Sequence, residues 1–303
     1  MVIDLWRLRT LQTVGPAEEG RPSHVAAASG LVHHRGALYV VADDEQSLAC
    51  FPEGLSPGHW IQLLPGELPL DPDLRKSVKA DFETLTWLPP FEGAPDGALL
   101  AIGSGSHPRR GWGAVMLLDP QGKPSQGAIR IDLRPLYDSL GESLGTVNIE
   151  GAVVVDGALV LLQRGNQAQG ALVRLSLAGV QAALAAREQW TVPLVTGLRP
   201  VSLPSLLGVP LGFTDGVACA GERILFVAAA EQTQDPYLDG PCAGSAIGVM
   251  SLEGEILSVD PVDLPVKLEG VELVGGRLWL VSDQDDPALP AQLFEAEPPP
   301  AAR

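Results

Sequence analysis

Ser29, Glu83, Glu150, Asp215 and Glu269 stand at corresponding points of a phrase that recurs along this sequence, each ahead of a small residue and an apolar run. If the fold brings them to one axis, four carboxylates and a hydroxyl share a confined space. Carboxylates so confined repel one another, and protonation, hydrogen-bond donors or a cation must relieve them. A hard divalent ion suits an all-oxygen set: calcium accepts six to eight oxygens in flexible geometry, magnesium keeps more of its water, and zinc would want His or Cys. One calcium ion per chain is the expectation. The alternative is that each acid accepts N–H groups from a neighbouring strand and so stitches the ring together without metal.

The phrase itself predicts the elements that carry these residues. It occurs as ASGLVHHRGALYVVADDE, FETLTWLPPFEGAPDGALLAIGSGSH, IEGAVVVDGALVLLQRGN, TDGVACAGERILFVAAAEQ and LEGVELVGGRLWLVSDQDD. Its markers are 54, 67, 65 and 54 residues apart, and 63 residues separate Glu269 from Ser29 through the two termini, so the repeat closes on itself. Each phrase reads as a hairpin. Two more strands follow it: LACF and WIQLL, GAVMLLD and GAIRIDL, GALVRLSL and EQWTVPL, SAIGVMSL and EILSVDPVDL. The fifth unit has only AQLFEAE, and VIDLWRLRTL at the N-terminus supplies the missing strand. Such pairing removes an exposed sheet edge.

The predicted fold is therefore all-β: a five-bladed β-propeller of four-stranded blades, closed by the N-terminal strand pairing in the last blade. Residues 1–297 form one domain, and 298–303, PPPAAR, read as a disordered tail. Ala-rich sequence from Leu177 to Glu188 reads as a helical insert.

Antiparallel pairing returns the end of each second strand to the face where the first begins. The ring therefore shares a mouth with Asp43, Asp44, Glu45, His107, Arg109, Arg164, Asn166, Glu231, Asp283 and Asp285. His107 could move protons there, and Arg109 and Arg164 could receive an anion. His24, His33, His34 and His59 have no zinc spacing and read as solvated. GSGSHP at 103–108 lacks the last Gly of a G-x-G-x-x-G, and neither a G-x-S-x-G elbow nor a P-loop is present. No catalytic base stands out.

The net charge of −17 leaves no basic cluster for a nucleic acid or an anionic membrane surface. The first ten residues carry no continuous apolar run, and no later run reaches membrane-spanning length. Cys50, Cys219 and Cys242 lie in no metal-binding or redox spacing. They read as buried thiols of a reducing compartment, and the cytoplasm is the expected location.

DFETLTW, LLAIGSGSH, NIEGAVV and LLQRGNQAQGALV resemble uncharacterised bacterial propeller proteins related to the phytase-like and esterase-like propeller families. SGLVHHRGALYVVADDE and LEGVEL are similar, more distantly, to the soluble calcium-activated nucleotidases (apyrases). That second resemblance implies a five-bladed propeller with a central calcium, and puts Ser29, Glu83, Glu150 and Glu269 on the ligand pattern. Asp215 stands where that pattern has Ser. The expected function is a binding or scaffold module, with a small molecule or a protein at the mouth. The alternative is a metal-dependent hydrolase of phosphoester, phosphoanhydride or ester substrates.

Overall fold

In the computed structural model, which describes residues 1–125, 127–164, 169–231 and 242–303, the chain is a five-bladed β-propeller. The N-terminal strand β1 (Trp6–Thr10) belongs to the last blade. Blade 1 is β2 (Ala28–His34), β3 (Ala37–Ala42), β4 (Ser47–Pro52) and β5 (His59–Gln62). Helix α1 (Pro72–Val78) leads into blade 2, formed by β6 (Phe82–Leu88), β7 (Ala98–Gly103), β8 (Trp112–Leu117) and β9 (Ile129–Asp132). Helix α2 (Arg134–Leu144) precedes blade 3: β10 (Ile149–Val155), β11 (Ala158–Gln163), β12 (Gln169–Ser176) and, after helix α3 (Leu177–Ala186), β13 (Val195–Ser202). A two-residue strand, β14 (Ser205–Leu206), extends blade 4, which is β15 (Val209–Cys219), β16 (Arg223–Glu231), β17 (Cys242–Met250) and β18 (Ile256–Pro261). Blade 5 is β19 (Lys267–Val274), β20 (Arg277–Asp283) and β21 (Gln292–Ala296), completed by β1.

Each blade is buried on both faces, so the period-2 rule of a strand divides an almost continuous apolar run between two neighbours. In blade 1, Val32, Tyr39, Val41 and Leu48 pack against blade 2. Their alternates Leu31, Leu38, Val40 and Ala49 pack against blade 5. Three further clusters fill the remaining blade-to-blade spaces, and the core is a closed ring of five wedges. The inner hairpins of blades 1, 3 and 5 turn through Arg35-Gly36, Asp156-Gly157 and Gly275-Gly276, with positive φ at both residues of each pair. That is the mirror-image turn whose twist suits a two-residue hairpin.

Several details differ from the sequence reading. The outer strand of blade 3 is β13, beyond EQWTVPL, because α3 and a 3-10 turn at Val192–Leu194 take up that length. Residues 298–303, expected to be a disordered tail, contain a 3-10 turn at Pro300–Ala302. Ala302 is buried there, and the Arg303 carbonyl accepts from Arg223 at 3.1 Å. His34 is enclosed rather than solvated: its Nε2 meets Asp96 Oδ2 at 2.7 Å and its ring stacks on Trp87. Cys50 is buried, Cys219 and Cys242 are partly exposed, and all three are free thiols. Among the described residues no helix is long and apolar enough to cross a membrane.

Candidate functional site: the channel mouth

A β-bulge near the start of every inner strand creates the ring. The pairing skips Ser29 in β2, Glu83 in β6, Glu150 in β10, Thr214 in β15 and Glu269 in β19. A bulged residue is left out of the ladder and its side chain is re-aimed. The residue after the bulge then lies where adjacent inner strands nearly touch. A Cβ on Gly30 would stand 2.7 Å from the Leu85 amide nitrogen, and one on Gly270 would stand 3.2 Å from the Gly30 Cα.

This register corrects the fourth position. Thr214, not Asp215, is equivalent to the ring residues, and its Oγ1 donates to the Leu268 carbonyl of blade 5 at 2.8 Å. Asp215 occupies the close-approach position that is glycine in three other blades. It is 1% exposed, and its Oδ2 accepts from the Val271 amide at 2.9 Å. Burial raises its pKa well above the ordinary carboxylate range, while bonds from the Val271 and Gly216 amides pull the other way. Asp215 therefore stitches blade 4 to blade 5. The missed signal was the buried apolar residue directly before each bulge: Ala28, Phe82, Ile149, Phe213 and Leu268.

The second feature hidden from the sequence reading is a set of internal cations. On the side of blades 3 to 5, Arg164 lies 3.5 Å from Glu150 and 2.9 Å from Glu231. Lys267 lies 3.0 Å from both Glu231 and Glu269, 3.4 Å from Asp283 and 3.5 Å from Asp285. Asn148 Nδ2 donates to Glu150 at 2.6 Å. Acid and base thus alternate across three blades.

On the side of blades 1 and 2, Lys79 follows α1. Its Nζ bridges Asp43, in a short contact, and Asp81 at 2.9 Å. Asp81 also accepts from the Ser104 hydroxyl, and from Arg110 at 2.8 Å. Glu83 is different. Among the described residues it makes no hydrogen bond or ion pair, although its carboxylate and those of Asp43 and Asp81 bring three oxygens within 4.8 Å of one another. Asp81, Asn148 and Lys267 each precede a bulge by two residues, so they share its side of the strand. The repeat motif had not included that position.

Burial sets the electrostatics. It raises Glu83 well above its ordinary range, and the Glu150, Asp81 and Asp43 carboxylates raise it further against the pull of Lys79. Glu150 is pushed up to about 8, chiefly by burial, although Arg164 lowers it. Glu269 and Asp283 are pushed up to about 7, burial again leading and Lys267 opposing. Burial works against the charge of Lys79, but Asp43, Asp81 and Glu83 more than offset it and hold the ammonium protonated.

The other expected mouth residues divide. Asp43, Asp44, Asp283 and Asp285 line a cleft of about 520 Å³ beside the channel, with α1 on its far wall. Glu45 is 4% exposed and enclosed by Arg21 at 2.8 Å and by Arg75 at 2.8 Å, the latter tying α1 to blade 1. His107 and Arg109 are exposed: His107 Nδ1 accepts from the Arg109 amide at 3.3 Å, and Arg109 reaches the Ser77 carbonyl at 3.3 Å. The neighbouring Arg110 takes the inward place. Ser29 Oγ donates to the Ala27 carbonyl of its own blade at 3.1 Å. Asn166 lies outside the described residues.

The sequence matches a family of unknown function, DUF6929, over residues 24–297, and the chain belongs to that family. No curated protein matches it. Among solved structures it is similar to the glutaminyl cyclase of Myxococcus xanthus, with 15% identity, a TM-score of 0.54, and 97% of this chain and 96% of that one covered. It is also similar to a regucalcin from Agrobacterium tumefaciens, a calcium-binding protein, with 11% identity, a TM-score of 0.47, and 100% and 99% covered. A gluconolactonase from Xanthomonas campestris is similar at 11% identity and a TM-score of 0.43, with 97% and 89% covered. At these identities the likeness is one of fold, and the resemblance to apyrases has no counterpart among these structures.

Proposed function

We propose that the protein is a binding module whose channel mouth takes one calcium ion at Asp43, Asp81 and Glu83 and holds an oxygen-bearing small molecule in the adjoining cleft. The observation that carries this reading is the convergence of three carboxylate oxygens within 4.8 Å, one of them on Glu83, which has no hydrogen bond or ion pair among the described residues. Hard oxygen donors suit calcium, and ordered water would complete a shell of six to eight. Lys79 is the competitor, because its ammonium already holds two of the three acids. Calcium binding therefore requires Lys79 to yield, and ion and ammonium exclude one another.

The test is the calcium content of protein purified without chelator, with thermal melts in calcium and in EDTA. One ion per chain and a melt raised by calcium support the reading, since a ligand bound only by the native state stabilises it by mass action. The rise should vanish in Glu83→Gln. No metal and no shift would reduce the cluster to an internally neutralised structural feature.

One observation favours a hydrolase as the second reading. Glu150, oriented by Asn148 and flanked by Arg164, keeps its proton at neutral pH because burial pushes it up to about 8. A calcium ion at Glu83 would polarise an ester or phosphoryl oxygen. Water would attack the acyl carbon or phosphorus, Glu150 would donate its proton to the departing oxygen and take one back from the added water, and Arg164 would receive the anionic group. Calcium-dependent turnover over a phosphatase, nucleotidase, lactonase and esterase panel, lost in Glu150→Gln, supports this reading. Its absence leaves the binding module.

A further inference from the structure

On the other side of α1 lies a groove of about 260 Å³ with the opposite charge, lined by Gln46, Leu64, Val78, Arg109, Trp112 and Arg130. Its construction follows from strand register. Trp112 at the start of β8 pairs with Asp132 of β9, and Arg130 pairs with Ala114. Arg130 and Asp132 therefore alternate onto the face that carries Trp112, and Arg134, the first residue of α2, reaches over the same ring. The guanidinium carbon of Arg130 lies 4.2 Å from the indole centroid and that of Arg134 lies 4.4 Å from it. Two cations share one aromatic ring.

Only one of the two is neutralised. Arg134 is paired with Asp132 at 2.6 Å. Among the described residues the Arg130 guanidinium has no hydrogen bond or ion pair, and Arg109 has only the Ser77 carbonyl at 3.3 Å. Two guanidinium groups thus face one small groove, and among the described residues the acid beside Arg130 is Asp132, which is already paired with Arg134. Cation–π contact with Trp112 holds Arg130 in place without consuming its N–H donors. A guanidinium so held presents a planar fork that fits a carboxylate or phosphate through two parallel bonds.

We propose that this groove is a binding site for a small organic anion, with Arg130 and Arg109 holding its oxyanion and Leu64 and Val78 covering an apolar stem. The volume is below the ordinary range for ligand pockets, about 300–1,000 Å³. It fits a compact metabolite, not a polyanion. The site is separate from the carboxylate mouth and does not depend on calcium there.

The test uses the whole chain, with inorganic phosphate and glutarate titrated separately by calorimetry in chloride buffer. Trp112 emission is followed in parallel, with Trp112→Phe as the spectral blank. The expected result is saturable binding of at least one probe, weakened about tenfold or more by Arg130→Ala and by Arg109→Ala. Replacing Arg199, an exposed arginine elsewhere, with Ala should leave it unchanged. Saturation by phosphate alone identifies a phosphate ester as the natural class, and saturation by glutarate alone a carboxylic acid. The proposal is overturned if neither probe saturates, or if Arg130→Ala, Arg109→Ala and Arg199→Ala bind like the parent. All three arginines are exposed, so these variants retain the fold.

Discussion

The two sides of the channel mouth solve the same electrostatic problem differently. Around blades 3 to 5, Arg164 and Lys267 lie among Glu150, Glu231, Glu269 and Asp283, so every carboxylate has a cation within 3.5 Å. Around blades 1 and 2, Lys79 and Arg110 serve Asp43 and Asp81, and Glu83 is left over. The first side is closed by the chain's own cations. The second retains capacity for a further one, which is why the ligand reading moves from the ring as a whole to one edge of it.

The largest effect should come from Lys267→Met, which leaves Glu231, Glu269 and Asp283 without their shared ammonium. Breaking a buried ion pair from one partner costs about 3–5 kcal/mol, and denaturant unfolding should show a loss of that order. Adding Glu269→Gln to that variant should recover part of it. If Lys267→Met unfolds like the parent, the closed side is not held by charge.

Lys79→Met should divide the two sides most sharply. Without calcium it destabilises, because Asp43 and Asp81 lose their ammonium. With calcium it should bind about tenfold more tightly than the parent, about 1.4 kcal/mol, because the internal competitor is gone. Equal calcium affinity in the two proteins would mean that ammonium and ion do not share a place.

pH acts in a defined direction. Glu150 has an ordinary value of 4.5 and is pushed up to about 8, while Glu269 and Asp283 reach about 7. Over that interval the folded chain binds more protons than the unfolded one. The stability owed to these groups is therefore full below 3.8 for Asp283 and below 4.5 for the two glutamates, and is lost as pH rises through about 7 to 8. Melts of metal-free protein should fall over this window, and Glu150→Gln should flatten the upper part. A parent melt that rises between pH 6 and 8 would contradict the assigned burial.

The smallest expected effect is itself diagnostic. Glu269→Gln should leave the calcium-dependent rise in melting temperature unchanged, since Lys267 already occupies that carboxylate. A lost rise would return the ion to the ring as a whole.

Much of this is legible in the sequence. The five phrases, their spacing and the orphan strand at Trp6–Thr10 predict the propeller and its closure, because an apolar run shared by two blade faces and a Gly-containing turn are local signals. Ser29, Glu83, Glu150 and Glu269 were readable as a set for the same reason. Alignment of TDG with EGA and EGV on glycine puts Asp215 in the ring, whereas the bulge follows the buried Phe213 and puts Thr214 there. Helix α1 offers no apolar stripe and buries only Arg75, whereas α2 does carry one at Leu136, Tyr137 and Leu140 that the repeat motif does not include. Lys79 and Lys267 lie in no motif of the repeat, so nothing in the sequence marks them as buried.

Blade number and four of the five ring positions follow from periodicity within single hairpins, and the closing strand follows from the strand that the fifth unit lacks. Which acids are neutralised emerges only when the chain is folded. An ion pair between Arg164 and Glu231, or between Lys79 and Asp43, joins residues far apart in the chain. Its strength depends on separation and burial, and no local pattern encodes either.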